Sequence, residues 1–513
     1  MNNILEKLYK RYNQFGEYYS AYTIKNSYTI IRILKDNKKQ WIDIDKQIKE
    51  YEIDRQMEKH TNFQELIMDS ENIQPKSIFI RVYYLELIAS AIPESFFHRM
   101  SIDRSTIVEL SLAITLYYVG LQTYKFSDKE ITDTEKKNLF GRVDFYIGLS
   151  DIQKVRGKTT STEFERFINL FANNIYEIKE EDKVGLFLDE GKLFIICIDE
   201  FLDYMIFKLE NIFKDKYLDK EYSYYTDEKG YAFEEMVYGI TKNFVQESYH
   251  TLFYYPNHKQ KIEIDVLLKD AENIAVLECK SGSFDAYGVD KDEILKLQIH
   301  NKTNKAYKSL KKVSEYLLNF DKYSFVCGEK TVSGYVKDPI CIHISMYPMD
   351  FISSNVHTLF PEYLEDVDAP ILTISLEHLF AMMIDAKISR KDIFKYWKQR
   401  KQDIVEHPGI QFDNNELDLY YEVINEDKDT MLAEIKRQGI LDQINSNARI
   451  ISSFHNEFGD ETRPATKMLL MLDHYLLLGI FDNGKNWFGI NKRYLINLDN
   501  YLQKSSNGSF DQK

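Results

Sequence analysis

Two apolar runs carry acids in their middles. In "KIEIDVLLKDAENIAVLECK", residues 261–280, Asp265 sits inside IEIDVLL and Glu278 inside IAVLECK. Burying a carboxylate beside a core costs on the order of several kcal/mol unless something pairs with it. Side chains alternate across a strand. Ile262, Ile264 and Val266 are therefore expected on one face and Glu263 and Asp265 on the other. In the second run Ala275, Leu277 and Cys279 share a face, as do Val276, Glu278 and Lys280. The connection "KDAEN" is short and turn-like, which predicts an antiparallel hairpin. Asp265, Glu278 and Lys280 would then converge. Two carboxylates a few Å apart repel, and one is pushed toward protonation. A divalent cation relieves that repulsion, and hard oxygen donors suit Mg²⁺ or Mn²⁺. Lys280 would hold a water or phosphate oxygen beside the ion. These parts suit hydrolysis of a phosphodiester, in which the cation polarises the phosphoryl oxygen and lowers the pKa of a bound water.

The flanking segments supply what must hold such a hairpin. "YAFEEMVYGITKNF" is helical in period, with Phe233, Val237 and Ile240 on one face. "TLFYY" precedes the two runs as a third strand. A long helix over about 291–319 follows them, then strands at "ICIHISMY" and "ILTIS". Helix, three strands, helix, strand makes a mixed α/β sheet. Residues 1 to about 185 are mostly helical in pattern, "VGLFLDEGKLFIICI" is a short hairpin turning at DEG, and "DEFLDYMIFKLENIF" is an amphipathic helix. From about 376 onward the pattern is again helical. The expected division is a helical region over 1–220, an α/β core over 221–385 and a helical region over 386–513.

An Asp, twelve residues, then E-x-K across two adjacent strands resembles the signature of the PD-(D/E)xK nuclease superfamily, the restriction-endonuclease-like fold. The resemblance covers roughly 225–380. It implies metal binding by Asp265 and Glu278, a further ligand from the main-chain carbonyl of Cys279, and action of Lys280 at the attacking water. Family members often carry an acid on the first core helix within G-x-x-F-E, and "GYAFE" matches with Gly230, Phe233 and Glu234. Many also carry a Gln on the helix after the Lys; here Lys308 stands in that region. No Pro precedes Asp265. The pattern E-x-K also begins at Glu135, Glu177, Glu181, Glu190, Glu426 and Glu434, but only at Glu278 does it end a strand that follows an Asp-bearing one. The resemblance implies a Mg²⁺- or Mn²⁺-dependent nuclease, with DNA the expected polymer rather than RNA. A nuclease core with its own flanking regions is similar in architecture to bacterial defence and restriction nucleases. The rival readings are an ordinary hairpin with solvent-facing acids, and an inactive nuclease fold that binds nucleic acid or serves as a scaffold.

With 66 basic against 81 acidic residues, the net charge of −15 excludes a uniformly basic nucleic-acid coat and leaves room for a local cationic groove. On the long helix, Ala306, Leu310, Val313 and Leu317 form an inward stripe, and Lys302, Lys305, Lys308 and Lys312 form a row on the other side. That row reads either as phosphate contacts or as a solvated face. "KISRKDIFKYWKQRKQ" over 387–402 interleaves seven basic residues with Phe394, Tyr396 and Trp397. It reads as a nucleic-acid grip that stacks bases, or as an amphipathic helix with its aromatics in the core. Glu263 is a further candidate ligand or an exposed strand residue.

Cys197, Cys279, Cys327 and Cys341 form no CxxC pair, which argues against a zinc finger or a disulfide framework. "GLFLDEGKL" fails as a P-loop, since Leu193 stands where Ser or Thr is required. The start lacks the apolar stretch of a signal peptide, and the run from Ile107 is too short for a span and contains Glu109. The chain is expected in the cytoplasm, away from membranes, with nucleic acid as its partner. A partner protein or a second copy of the chain would be compatible with this reading.

Overall fold

The computed structural model describes residues 77–125, 146–174, 177–178, 185–189, 192–195, 198–257, 260–282, 292–319, 322–336, 338–347, 351–360, 362–365, 370–388, 390–406, 415–424 and residues 468, 469, 472 and 476. The expected helical character of residues 1–76 and of most of 425–513 lies outside them, as does Cys197.

The helical region begins with α1 (Ile78–Ala91), α2 (Glu94–Met100) and α3 (Arg104–Lys125). The Ser77 side chain accepts the Ile80 amide and so starts α1. A small sheet follows, from β1 (Tyr146–Ile147), β2 (Asn173–Asn174), β3 (Phe187–Asp189) and β4 (Lys192–Phe194), in the order β1-β4-β3-β2. Asp189 pairs with Lys192, so the hairpin predicted around DEG is present. Between β1 and β2 lie α4 (Leu149–Val155) and α5 (Ser161–Phe171). Thr160 and Glu163 start α5 as a reciprocal cap. Glu109, inside the apolar α3, is buried and meets Arg156 at 2.6 Å and Lys158 at 3.0 Å. Among the described residues, no helix is long and apolar enough to cross a membrane.

Two long helices lead into the second sheet: α6 (Ile198–Lys216) and α7 (Asp219–Thr241). The sheet contains β5 (Glu247–Asn257), β6 (Gln260–Asp270) and β7 (Asn273–Lys280) as an antiparallel meander. Next come α8 (Asp292–Asn319), then a hairpin of β8 (Tyr323–Cys327) and β9 (Lys330–Gly334) that sequence pattern did not reveal. β10 (Ile340–Ser345), α9 (Phe351–Leu359), α10 (Glu362–Glu365) and β11 (Ile371–Ser375) complete it. The strand order is β11-β10-β7-β6-β5-β8-β9, with β7, β10 and β11 parallel. Mixed pairing of this kind needs helical crossovers, and α8 supplies the one between β7 and β10. Every residue of β10 is buried, as expected of a parallel strand covered on both faces. The chain continues through α11 (Leu376–Ile388), α12 (Ile393–Glu406) and α13 (Glu416–Ile424).

The sheet lies between two apolar clusters. On one face Val266, Leu268, Ala275, Leu277 and Cys279 pack with α1, α3, α6, α7 and α11 to α13. On the other, Ile264, Leu267, Ile274 and Val276 pack with Tyr307, Leu310, Val313 and Leu317 of α8. The inward stripe predicted for α8 is therefore the one observed. The first cluster runs without a break from α1 to α13. Of the division drawn from the sequence, the 385/386 position lies inside α11 and the 220/221 position inside the first turn of α7.

Candidate active site

The β6–β7 hairpin turns over two residues, with Asp270 paired to Asn273 and Ala271 in the left-handed region at φ 51°. Pairing runs to Val266 opposite Leu277. The next main-chain donor, the Cys279 amide, gives its hydrogen to Asp265 Oδ2 at 2.7 Å. A carboxylate has replaced a backbone acceptor in the ladder, and the acid comes to the strand carrying Glu278.

The simple alternation expected for β6 does not hold through this point. Ile262 and Ile264 pack on the α8 side, but Val266 packs on the other. β5 changes phase in step: Tyr249 and Leu252 both contact the α8-side cluster. Between them Thr251 has φ 54°, a conformation that a β-branched residue rarely adopts. Both strands reverse their faces at the position of Asp265.

Glu278 is 7% and Asp265 6% exposed. Glu278 accepts from Lys280 Nζ at 2.6 Å through Oε1, and from Ser309 Oγ at 3.0 Å through Oε2. One oxygen of each carboxylate is thus tied to a structural donor, the Cys279 amide or the Ser309 hydroxyl. Burial pushes the Asp265 carboxyl up to about 8, with Glu278 and then Glu234 adding repulsion; Lys280 and the Cys279 amide oppose this. Burial also raises Glu234, on α7, to about 7, with Glu263 as its main charged neighbour and Glu278 as a lesser one. Burial disfavours the Lys280 ammonium, yet Glu278 and Asp265 outweigh it and hold the pKa above the usual lysine value. Glu234 is half-buried beside the core residue Phe233, while Glu263 is exposed.

The donor chemistry fits a hard divalent cation. Asp265 and Glu278 would be the side chains to hold one, and among the described residues no group of three or more His, Cys, Asp and Glu that could hold a metal ion is present. Mg²⁺ keeps several waters and needs only one or two carboxylates. The Cys279 thiol packs in the core cluster and burial pushes its pKa well above the usual value, so this residue presents no thiolate to the site. Lys280 keeps 31% of its side chain exposed.

The lysine row is partly placed. Lys305, Lys308 and Lys312 are exposed on α8, whereas the side chain of Lys302 lies outside the described residues. At about 100° per residue, Lys305 and Lys312 stand roughly 40° and 60° around the helix from Ser309. The row therefore begins beside the residue that touches Glu278. The second basic segment behaves differently. Phe394, Tyr396 and Trp397 are buried, Arg400 pairs with Glu416 at 2.8 Å, and Lys401 pairs with Asp338 and donates to the Pro339 carbonyl at 2.7 Å. α12 is a core helix, and its aromatics are not available to stack bases.

Two neighbours of the site carried no signal in the sequence. Ser309 is one. The other is His343, which stands beside Glu278 in the β7–β10 register. Burial, with Lys280 nearby, lowers the His343 pKa to about 3, and its Nε2 has no hydrogen-bond partner among the described residues. No family model, curated protein or solved structure matches this chain.

Proposed function

We propose that this chain is a metal-dependent nuclease on a restriction-endonuclease-like core, hydrolysing phosphodiester bonds in nucleic acid, with DNA as the expected substrate. The observation that carries the reading is the pair Asp265 and Glu278. They are buried on adjacent strands, each with one oxygen held by a structural donor, with Lys280 in contact. A carboxyl raised by burial and by a second buried acid beside it, as Asp265 is by Glu278, is expensive to keep unless a cation or substrate uses it.

In this reading Asp265 and Glu278 hold Mg²⁺ or Mn²⁺ with the Cys279 carbonyl. When bound, the ion supplies charge stabilisation for the phosphoryl group and a more acidic water. Lys280 orients the attacking water and meets the charge developing on phosphate. Glu234 receives or holds a proton at the edge of the site. Lys305, Lys308 and Lys312 grip the phosphate backbone, with Lys302 completing the row. The setting that fits the architecture is bacterial defence or restriction.

The test is incubation of the purified protein with plasmid DNA, linear DNA and RNA in Mg²⁺ and in Mn²⁺, each with and without chelator. Metal-dependent cleavage that is lost in Asp265→Ala and Glu278→Ala supports the reading. Retained cleavage in either variant would sink it. Binding without cleavage under all conditions would point instead to an inactive nuclease fold serving as a binding or scaffolding component.

A further inference from the structure

Ser and Thr within helices commonly bond back to their own helix. Here Ser111 donates to the Ile107 carbonyl, Thr115 to Ser111 and Thr241 to Val237. Ser309 does otherwise. Its hydroxyl crosses from α8 to β7 and donates to Glu278 Oε2 at 3.0 Å. It sits on the border of the helix, between the inward stripe of Ala306, Leu310 and Val313 and the exposed Lys305 and Lys312.

We propose that Ser309 is a positioning residue for the metal ligand Glu278; this inference rests on the metal-site reading given above. A glutamate has three side-chain torsions and, unheld, samples many directions. The Ser309 bond fixes one oxygen and leaves Oε1 as the oxygen directed at Lys280 and the site. Partners of this kind orient a ligating carboxylate and set its affinity for the ion. The same bond ties Glu278 to the helix that carries the lysine row, whose position on the sheet is set by the packing of Leu310, Val313 and Leu317.

The experiment measures Mn²⁺ binding to the full chain by titration calorimetry, without nucleic acid, in the parent and in Ser309→Ala, Ser309→Thr and Ser309→Val. Thr and Val have nearly the same shape and differ in the hydroxyl, so this pair isolates the hydrogen bond even where Ala disturbs folding. Ala and Val are expected to weaken Mn²⁺ binding by about 10-fold or more. Thr is expected to restore parent affinity, and the salt dependence of DNA binding should stay at the parent value in all three. Equal Mn²⁺ affinity for Thr and Val would overturn the role of Ser309 and leave the metal site standing. A parent that binds no Mn²⁺ would overturn the metal-site reading itself, and the Ser309 role with it.

Discussion

Lys280 Nζ lies 2.6 Å from Glu278 Oε1, two residues away on the same edge of β7. The ammonium neutralises the Glu278 carboxylate, the one that the proposed function assigns to a cation. The opposing acid, Asp265, accepts from the Cys279 amide and, among the described residues, makes no hydrogen bond to a lysine. The two acids are therefore unequal before any ion arrives.

That inequality predicts a pH effect on stability. The folded-state pKa of Asp265 is near 8, against 3.8 as a free side chain. The folded protein binds the extra proton, so stability falls as pH rises between those values and levels off above the upper one. The expected loss is on the order of a few kcal/mol, because each pKa unit is worth about 1.4 kcal/mol. Melting curves of the parent in chelator, against Asp265→Asn, measure it. A parent and variant with the same pH profile would mean that Asp265 is not the group responsible.

On the proposed reading, removing the carboxylate of Asp265 or Glu278 should abolish Mn²⁺ binding and cleavage while leaving the fold intact. Asp265→Ala and Glu278→Ala each remove like-charge repulsion from the metal-free site. Their melting temperatures in chelator are expected to equal or exceed that of the parent. A large fall in either would show that the carboxylate serves the fold first.

Lys280→Ala should separate chemistry from binding. Loss of a donor aimed at developing charge lowers the rate by about 10² to 10³-fold. Nucleic-acid affinity should stay near the parent value, because the residue acts on the transition state more than on the ground state. Single-turnover rates and filter binding on the same substrate distinguish the two. A collapse of affinity together with rate would reassign Lys280 as a phosphate anchor.

Neutralising Lys302, Lys305, Lys308 and Lys312 should weaken binding whatever the sequence. It should also flatten the log-log salt dependence by about 0.9 per lost contact on duplex DNA, or about 0.7 on single strands. The exposed Lys395 and Lys398 of α12 serve as the control pair and should change the slope little. A Glu278→Ala background prevents cutting during the salt series. The placement of the groove on α8 is wrong if the control pair, and not the lysine row, changes the slope.

Arg400→Ala tests whether α12 is a core helix. It leaves the buried Glu416 without its guanidinium partner, a change that typically destabilises by about 3–5 kcal/mol. Denaturant unfolding measures this directly, and an effect under about 1 kcal/mol, the range of an exposed pair, would contradict the burial of this pair.

Much of the α/β core was legible locally. The apolar period of residues 292–319 announced α8 and its inward face, and the runs at 262–268 and 274–279 announced a hairpin with a short turn. The β8–β9 hairpin was not legible, because its strands are short and half exposed and carry little alternation. The basic segment over 387–402 was ambiguous for a different reason. Whether Arg400 and Lys401 meet phosphate or protein depends on Glu416 and Asp338, which lie far along the chain.

Sequence by itself determined that two acids and a lysine would stand on neighbouring strands, since strand period and turn length are local properties of the chain. Only the tertiary structure decided how they meet. The reversal of faces at Asp265 comes with Thr251 of β5, opposite it in the register, at φ 54°, and no alternation rule within β6 contains it. The choice of Ser309, next to Lys308, as the helix residue that reaches Glu278 depends on how α8 is rotated against the sheet. That rotation is settled by packing Leu310 and Val313 into the core, a relation between residues remote in sequence that local pattern does not encode.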